Sequence, residues 1–239
     1  MLEALEPRLL LGAGVVISEF MAINDRVLAD EDGDHPDWIE LHNAGSAAVN
    51  LDGWFLTDTS ANLSRWRLPA VTLPADGYLV VFASGKDRSD PAGELHTSFR
   101  LRGAGEYLTL VRPDGVTIEH AYAPEFPPQV ADVSYGLAGE PAEQRYFATP
   151  TPGAVNEAGY VGVVGPVEFS HTRGFYDEPF EVTLSCATPG AVIRYTLDGA
   201  APAADQGTVY TGPISVTGTT VLRAGAFKAD WLTLPDDVV

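Results

Sequence analysis

Asp37-Trp-Ile-Glu-Leu-His-Asn43, followed by Val49-Asn-Leu-Asp-Gly-Trp-Phe-Leu-Thr-Asp58, decides how this chain reads. Apolar and polar residues alternate, a turn sequence intervenes, and the alternation resumes. A period of two is the mark of a half-buried strand. Trp38 and Leu41 lie in a run of strand formers, and Asp52-Gly53 is a hairpin-type turn signal. Two short strands joined in this way open a β-sandwich and not an α/β core.

Outward from this stretch, short strand candidates recur and a helical period is nowhere sustained. Val15-Val-Ile-Ser-Glu-Phe20 reads as the first strand. Tyr78-Leu-Val-Val-Phe82 is a continuous apolar run, expected to be a fully buried strand. Tyr107–Val111 and Val116–His120 flank Arg112-Pro-Asp-Gly115, in which Pro presets φ and Gly takes the positive φ of a β-turn. Ala148-Thr-Pro-Thr-Pro-Gly-Ala-Val-Asn156 ends this series, and 157–165 reads as a short small-residue linker. A second series runs from Val167 through Phe180–Cys186, Ala191–Thr196, Pro213–Val216 and Thr219–Phe227. The expected organisation is a leader over 1–14, a first sandwich over 15–156, the linker, and a second sandwich over 166–239.

The 239 residues carry 33 acidic and 14 basic side chains, a net charge of −19. Such a surface repels phosphate backbones, so nucleic acid is an unexpected partner. The same charge favours solubility and cation uptake, or is simply a solvated face. A single cysteine excludes an internal disulfide, and Cys186 reads as a buried, inert thiol. No apolar run approaches the roughly 18 residues that suggest a membrane helix. The N-terminus lacks the charge pattern of a standard signal peptide, with Glu3 and Glu6 where basic residues belong.

Several blocks in order resemble the lamin tail domain in its bacterial extracellular form. They are Ile17-Ser-Glu-Phe20, Asp37–Asn43, Leu51–Asp58, Leu73–Arg88, Leu95–Phe99 and Gly105–Leu110, extended by Pro127–Gly136 and Phe147–Asn156. The resemblance implies an immunoglobulin-like sandwich in which Trp38, Trp54 and Phe55 fill the space between the sheets, with Gly53 and Gly77 in turns. Such domains occur beside spore-coat (CotH-type) kinase domains, yet neither a Gly-rich phosphate loop nor a catalytic Asp-Asn pairing is found here. Gly174-Phe-Tyr176, Ala187–Gly199 with Pro202, Tyr210–Ile214 and Val221–Lys228 resemble the C-terminal domain of chitobiase and β-hexosaminidase, a small fibronectin-like sandwich. That resemblance implies an accessory role, with carbohydrate attachment as one form of it. It also implies a final strand beyond Trp231, so the sequence is expected to be a fragment lacking that strand. Leu5-Glu-Pro-Arg-Leu-Leu-Leu11 resembles the LEPR-x-LL motif near the N-termini of large bacterial surface proteins. The basic stretch that precedes that motif is missing, which places the expected start upstream.

The dense acidic cluster is Asp30-Glu-Asp-Gly-Asp-His-Pro-Asp37. Carboxylates of Asp30, Asp32, Asp34 and Asp37 in one loop suit a hard cation such as Ca²⁺, which takes about six to eight oxygen ligands. The spacing is not that of an EF-hand, and the alternative is a solvated polar loop. The histidines at 35, 42, 96, 120 and 171 have no zinc-site spacing, and His42 reads as a packed or edge residue. Glu19, Asp37, Glu40 and Asp58 are the acids that glycoside chemistry would need, but on alternating strands they are expected to face solvent or cap turns. Arg65-Trp-Arg67 reads as a strand with Trp66 inward and both arginines outward. With no G-x-S-x-G elbow, no nucleophile stands out.

The expected fold class is therefore all-β, two immunoglobulin-like or fibronectin-like sandwiches in tandem. The expected function is a non-catalytic binding, adhesion or spacer module of a larger bacterial protein, extracellular or at the cell surface. Its partner would be a surface protein or polysaccharide, with no nucleic acid and no membrane span. The alternative is the accessory region of a kinase or glycoside hydrolase whose catalytic domain lies downstream. A third reading, chromatin binding of the nuclear-lamina kind, is opposed by the charge and by the lack of coiled-coil heptads.

Overall fold

The computed structural model describes residues 14–139, 141–233 and 237–238. The expected leader over 1–14, with the Leu5–Leu11 motif, lies outside them save for Gly14. The backbone divides into two compact units, one ending at Gly159 and the other beginning at Tyr160. All regular elements among the described residues are strands, and both units are β-sandwiches of the immunoglobulin-like kind.

Among the described residues the first unit holds twelve strands: β1 Val15–Met21, β2 Asp37–Asn43, β3 Val49–Asn50, β4 Phe55–Thr57, β5 Trp66–Arg67, β6 Thr72–Leu73, β7 Tyr78–Ala83, β8 Leu95–His96, β9 Leu108–Val111, β10 Ile118–Tyr122, β11 Ser134–Ala138 and β12 Glu143–Phe147. One sheet has the order β12-β11-β1-β2-β7-β8, the other β10-β9-β4-β5, and β3 pairs with β6. Gly115 turns β9 into β10 with φ 73°, its N–H donating to the Arg112 carbonyl at 3.0 Å. The Asp52-Gly53 turn forms, but not as a hairpin. Its flanking strands go to different sheets, β3 to β6 and β4 to β5 and β9, with Leu51 and Leu56 on either side of the turn both buried. β7 is buried only in its second half: Tyr78, Leu79 and Val80 are half-buried and Val81–Ala83 are buried. The left-handed residue before β7 is Asp76, not Gly77.

A bulge at Ser18 governs which residues of the six-stranded sheet point where. Ile17 pairs with Leu41 and Glu19 with Glu40, so Ser18 is the extra residue. Ile17 and Phe20, three apart, thereby face the same side. Phe20 meets Tyr122 and Phe126 at 5.0 and 4.6 Å between ring centroids, in the core between the sheets. Met21 and Trp38 pair on the opposite face with Glu19 and Glu40. Trp38 thus packs with Met21 and Phe82, flanked by Leu28 and Val80, on the outer face of the sheet. It is a core residue, as the resemblance implies, but the space between the sheets is not where it sits.

The second unit holds β13 Gly162–Val163, β14 Val167–Phe169, β15 Phe180–Val182, β16 Leu184–Cys186, β17 Val192–Thr196, β18 Thr208–Val209, β19 Ile214–Val216, β20 Arg223–Phe227, β21 Trp231–Leu232 and β22 Asp237–Val238. A sheet β18-β17-β20-β22 is joined by the pairs β13–β21, β14–β16 and β15–β19. Its core is small, built on Val167, Val182, Leu184, Ile214, Leu222 and Ala224. Cys186 is half-buried against it and donates its thiol to the Gly165 carbonyl at 3.3 Å.

Candidate functional site

Three features gather titratable or aromatic side chains. The first is the acidic loop. Asn24 shapes it: its side-chain amide donates to the carbonyls of Leu28 and Pro36 at 2.7 and 2.8 Å and accepts from the N–H groups of Val27 and Leu28. The Asp30 carboxylate accepts the N–H groups of Asp32 and Asp34, each at 3.0 Å, which curls the loop on itself. Asp30, Asp32 and Asp34 then converge, with ligand atoms within 4.8 Å of one another. Asp37 does not join them. Its carboxylate accepts the Leu101 N–H at 3.2 Å, and burial pushes it up to about 7.

The centre of the three carboxylates belongs to Lys86, which reaches Asp30, Asp32 and Asp34 at 2.5, 2.6 and 2.8 Å. Arg88 adds bonds to Asp32 at 2.7 Å and Glu31 at 2.9 Å. Hydrogen bonds from Lys86 and Arg88 hold Asp32 down at about 2, and the Lys86 ammonium is raised in turn. At Asp30 burial pushes up, but the Lys86 bond and two backbone N–H groups outweigh it and the net direction is down. A cation entering here competes with this ammonium. Lys86→Met is expected to lower the melting temperature of the first unit at low salt, by leaving three carboxylates to repel one another. The deficit should narrow at about 1 M salt, where the screening length is about 3 Å. Calorimetry at two ionic strengths is the check, and an unchanged low-salt transition would refute it.

The second feature is a pair of buried carboxylates. Glu19 and Glu40 stand opposite each other on β1 and β2 and are fully buried, although strand alternation alone points them to solvent. What covers them is the segment around Thr151–Asn156. Glu19 accepts the Thr151 N–H at 3.2 Å and the Ser134 hydroxyl. Glu40 accepts the Gly153 N–H at 2.5 Å and the Ser18 hydroxyl at 2.7 Å. Asn156 donates to the carbonyls of Ser18 and Leu137, both at 2.9 Å. The two acids are the receptacle of a clip that ties the end of the unit to its central strands.

Burial pushes Glu40 up to about 7, against the Gly153 and Ser18 bonds and with the Glu19 charge adding to it. A carboxyl raised on folding binds its proton more tightly folded than unfolded. Its contribution is complete below the ordinary value of 4.5 and is lost as pH rises towards 7. His120, pushed down to about 4 by burial, acts in the opposite sense over the lower part of this range. Comparison with Glu40→Gln isolates the carboxyl: wild type should lose stability relative to the variant between about pH 5 and 8. Chemical denaturation of both proteins across that range tests it, and a constant difference would contradict it.

The third feature lies in the second unit. The loop 171–179 and the turn 217–220 enclose a cleft of about 480 Å³ floored by Val182 and Leu222. Tyr176, 46% exposed, leans on Phe180 at 4.3 Å between centroids, and Phe180 in turn meets His171 at 4.7 Å. The Tyr176 hydroxyl donates to the Thr172 carbonyl at 2.7 Å. Phe175 beside it is fully exposed.

Residues 12–123 match the family model described as Lamin Tail Domain, and residues 171–234 match that described as Chitobiase/beta-hexosaminidase C-terminal domain. The two matches follow one another along the chain, one in each unit. No curated protein and no solved structure matches it. The lamin tail match ends at 123, so β11, β12 and the clip lie past it, yet they complete the sheet and bury Glu19 and Glu40. Both domain types are consistent with a non-catalytic accessory module. No helix among the described residues is long and apolar enough to cross a membrane.

The remaining candidates are structural parts of the first unit. Trp66 is buried, Arg67 pairs with Asp52 at 3.0 Å, and Arg65 pairs with Asp58 and lies over the Phe99 ring. His42 stacks on Tyr78 at 4.2 Å and bonds Asp76 at 3.0 Å. Sequence reasoning missed Lys86 and Arg88, which stand over 50 residues from Asp30, Asp32 and Asp34, and the cleft in the second unit. Its one sequence signal was Phe175-Tyr176 between a glycine and two acids.

Proposed function

We propose that the chain serves as a non-catalytic binding, adhesion or spacer module in the extracellular or cell-surface part of a larger bacterial protein, with a surface protein or polysaccharide as partner. One observation carries this reading. Glu19 and Glu40, the acids best placed to act as a buried catalytic pair, are consumed by N–H and hydroxyl groups of their own unit. They hold a scaffold together, and a scaffold is what an adhesive or spacing element needs. The net charge of −19 suits a solvated surface and opposes nucleic acid. The matched domain types support an accessory role.

Brief protease treatment of intact cells of the source organism tests the location. Loss of the protein from intact cells is expected; protection until lysis would overturn the reading. Retention of the purified chain on isolated cell envelopes tests adhesion independently of any one ligand.

A further inference from the structure

Beyond the general reading as a binding module, on which this inference rests, we propose that the cleft formed by residues 171–179 and 217–220 binds a neutral saccharide, with the Tyr176 ring as its stacking platform. Tyr176 is held in advance of any ligand. Phe180 and His171 support the ring, and its hydroxyl is spent on the Thr172 carbonyl. Little side-chain freedom is left to lose on binding, which is how a half-exposed aromatic becomes an effective contact. An aromatic face is electron-rich and accepts the slightly positive C–H face of a sugar ring. Phe175, fully exposed and in the same lining, adds a second ring beside it.

The polar lining selects the ligand class. Asp177, Glu178 and the hydroxyls of Thr217 and Thr219 offer acceptors and donors for ligand hydroxyl groups, while the Thr220 hydroxyl donates to the Gly218 carbonyl at 2.9 Å and is left as an acceptor. Arg173 is the one Lys or Arg in the lining, set against those two acids, in a chain of charge −19. Polyanions are therefore repelled and a neutral polyol is accommodated. A peptide anchor would need a deep apolar slot. Here the floor residues Val182 and Leu222 are already buried in the core, so the apolar surface on offer is ring faces at the rim. At about 480 Å³ the cleft falls within the range of about 300–1,000 Å³ usual for small-ligand sites.

The test is an array of neutral oligosaccharides, anionic polysaccharides and short peptides probed with the full 239-residue chain, followed by titration calorimetry of each hit. At least one neutral oligosaccharide is expected to bind. Tyr176→Ala and Phe175→Ala should each weaken it by about tenfold or more, equivalent to about 1.4 kcal/mol. Phe175→Ala removes an exposed ring and should leave the melting temperature unchanged, so its loss of binding is not a folding defect. Tyr176→Phe, which keeps the ring, should retain most of the affinity. No saccharide binding at millimolar concentration, binding only of peptides or polyanions, or saccharide binding indifferent to both alanine variants would overturn the proposal. None of these results bears on the surface location, which protease treatment decides separately.

Discussion

Gly136→Ala is expected to destabilise the first unit by about 3 kcal/mol or more, enough to abolish its folded state at moderate temperature. Gly136 stands opposite Glu19, next to the bulge at Ser18. A methyl group there would lie 2.1 Å from the Ser18 carbonyl oxygen and 2.8 Å from the Glu19 Cα. These are backbone atoms, so no rotamer change relieves the clash. β1 is the central strand that joins β11 to β2, and the same Ser18 carbonyl accepts the Asn156 amide. Moving it breaks the sheet and the clip together. Gly93→Ala is the control, because nothing lies within 4 Å of its added carbon. Denaturant unfolding should show the Gly93 variant within about 0.5 kcal/mol of wild type. A Gly136 variant equally stable would mean that the bulge is dispensable.

Trp38→Ala is expected to cost about 3–5 kcal/mol, the range for emptying a large aromatic site in a packed core. Trp38 pairs with Met21 on one side and Phe82 on the other and is fully buried. The neighbours that would have to collapse into the vacated space belong to three strands of one sheet, whose backbone bonds hold them apart. Leu28, from the loop that carries the acidic cluster, also packs there. The variant should therefore loosen the acidic loop as well as lower the stability, seen as faster amide exchange over residues 24–36. A loss below about 1 kcal/mol with an unchanged loop would show that the outer face repacks freely.

Much of the architecture was legible because its causes are local. Alternation in Val15–Phe20 and Asp37–Asn43 and the Arg112–Gly115 turn mark strands and a hairpin. Each rests on residues adjacent in sequence. The Asp52-Gly53 turn shows the limit of such reasoning. A turn signal says that the chain reverses, but not which partner each flanking strand takes, and here the two strands part to different sheets. The acidic loop was legible as a cluster of Asp30, Asp32 and Asp34, while Asp37, at the start of β2, turns its carboxylate to the Leu101 N–H. The cation that neutralises the three was not legible at all.

By itself, then, the sequence determined an all-β fold in two series of short strands, a resemblance to two domain types, and a strongly acidic charge. Only the tertiary structure decided that the polar positions of the Trp38 strand are interior. One inserted residue at Ser18 resets which side chains share a face, and a segment over 100 residues away arrives to satisfy Glu19 and Glu40. Patterning with a period of two is set by neighbours along the chain. Whether a polar side chain on such a strand meets water or a backbone N–H depends on what packs over it, and that is a property of the folded whole.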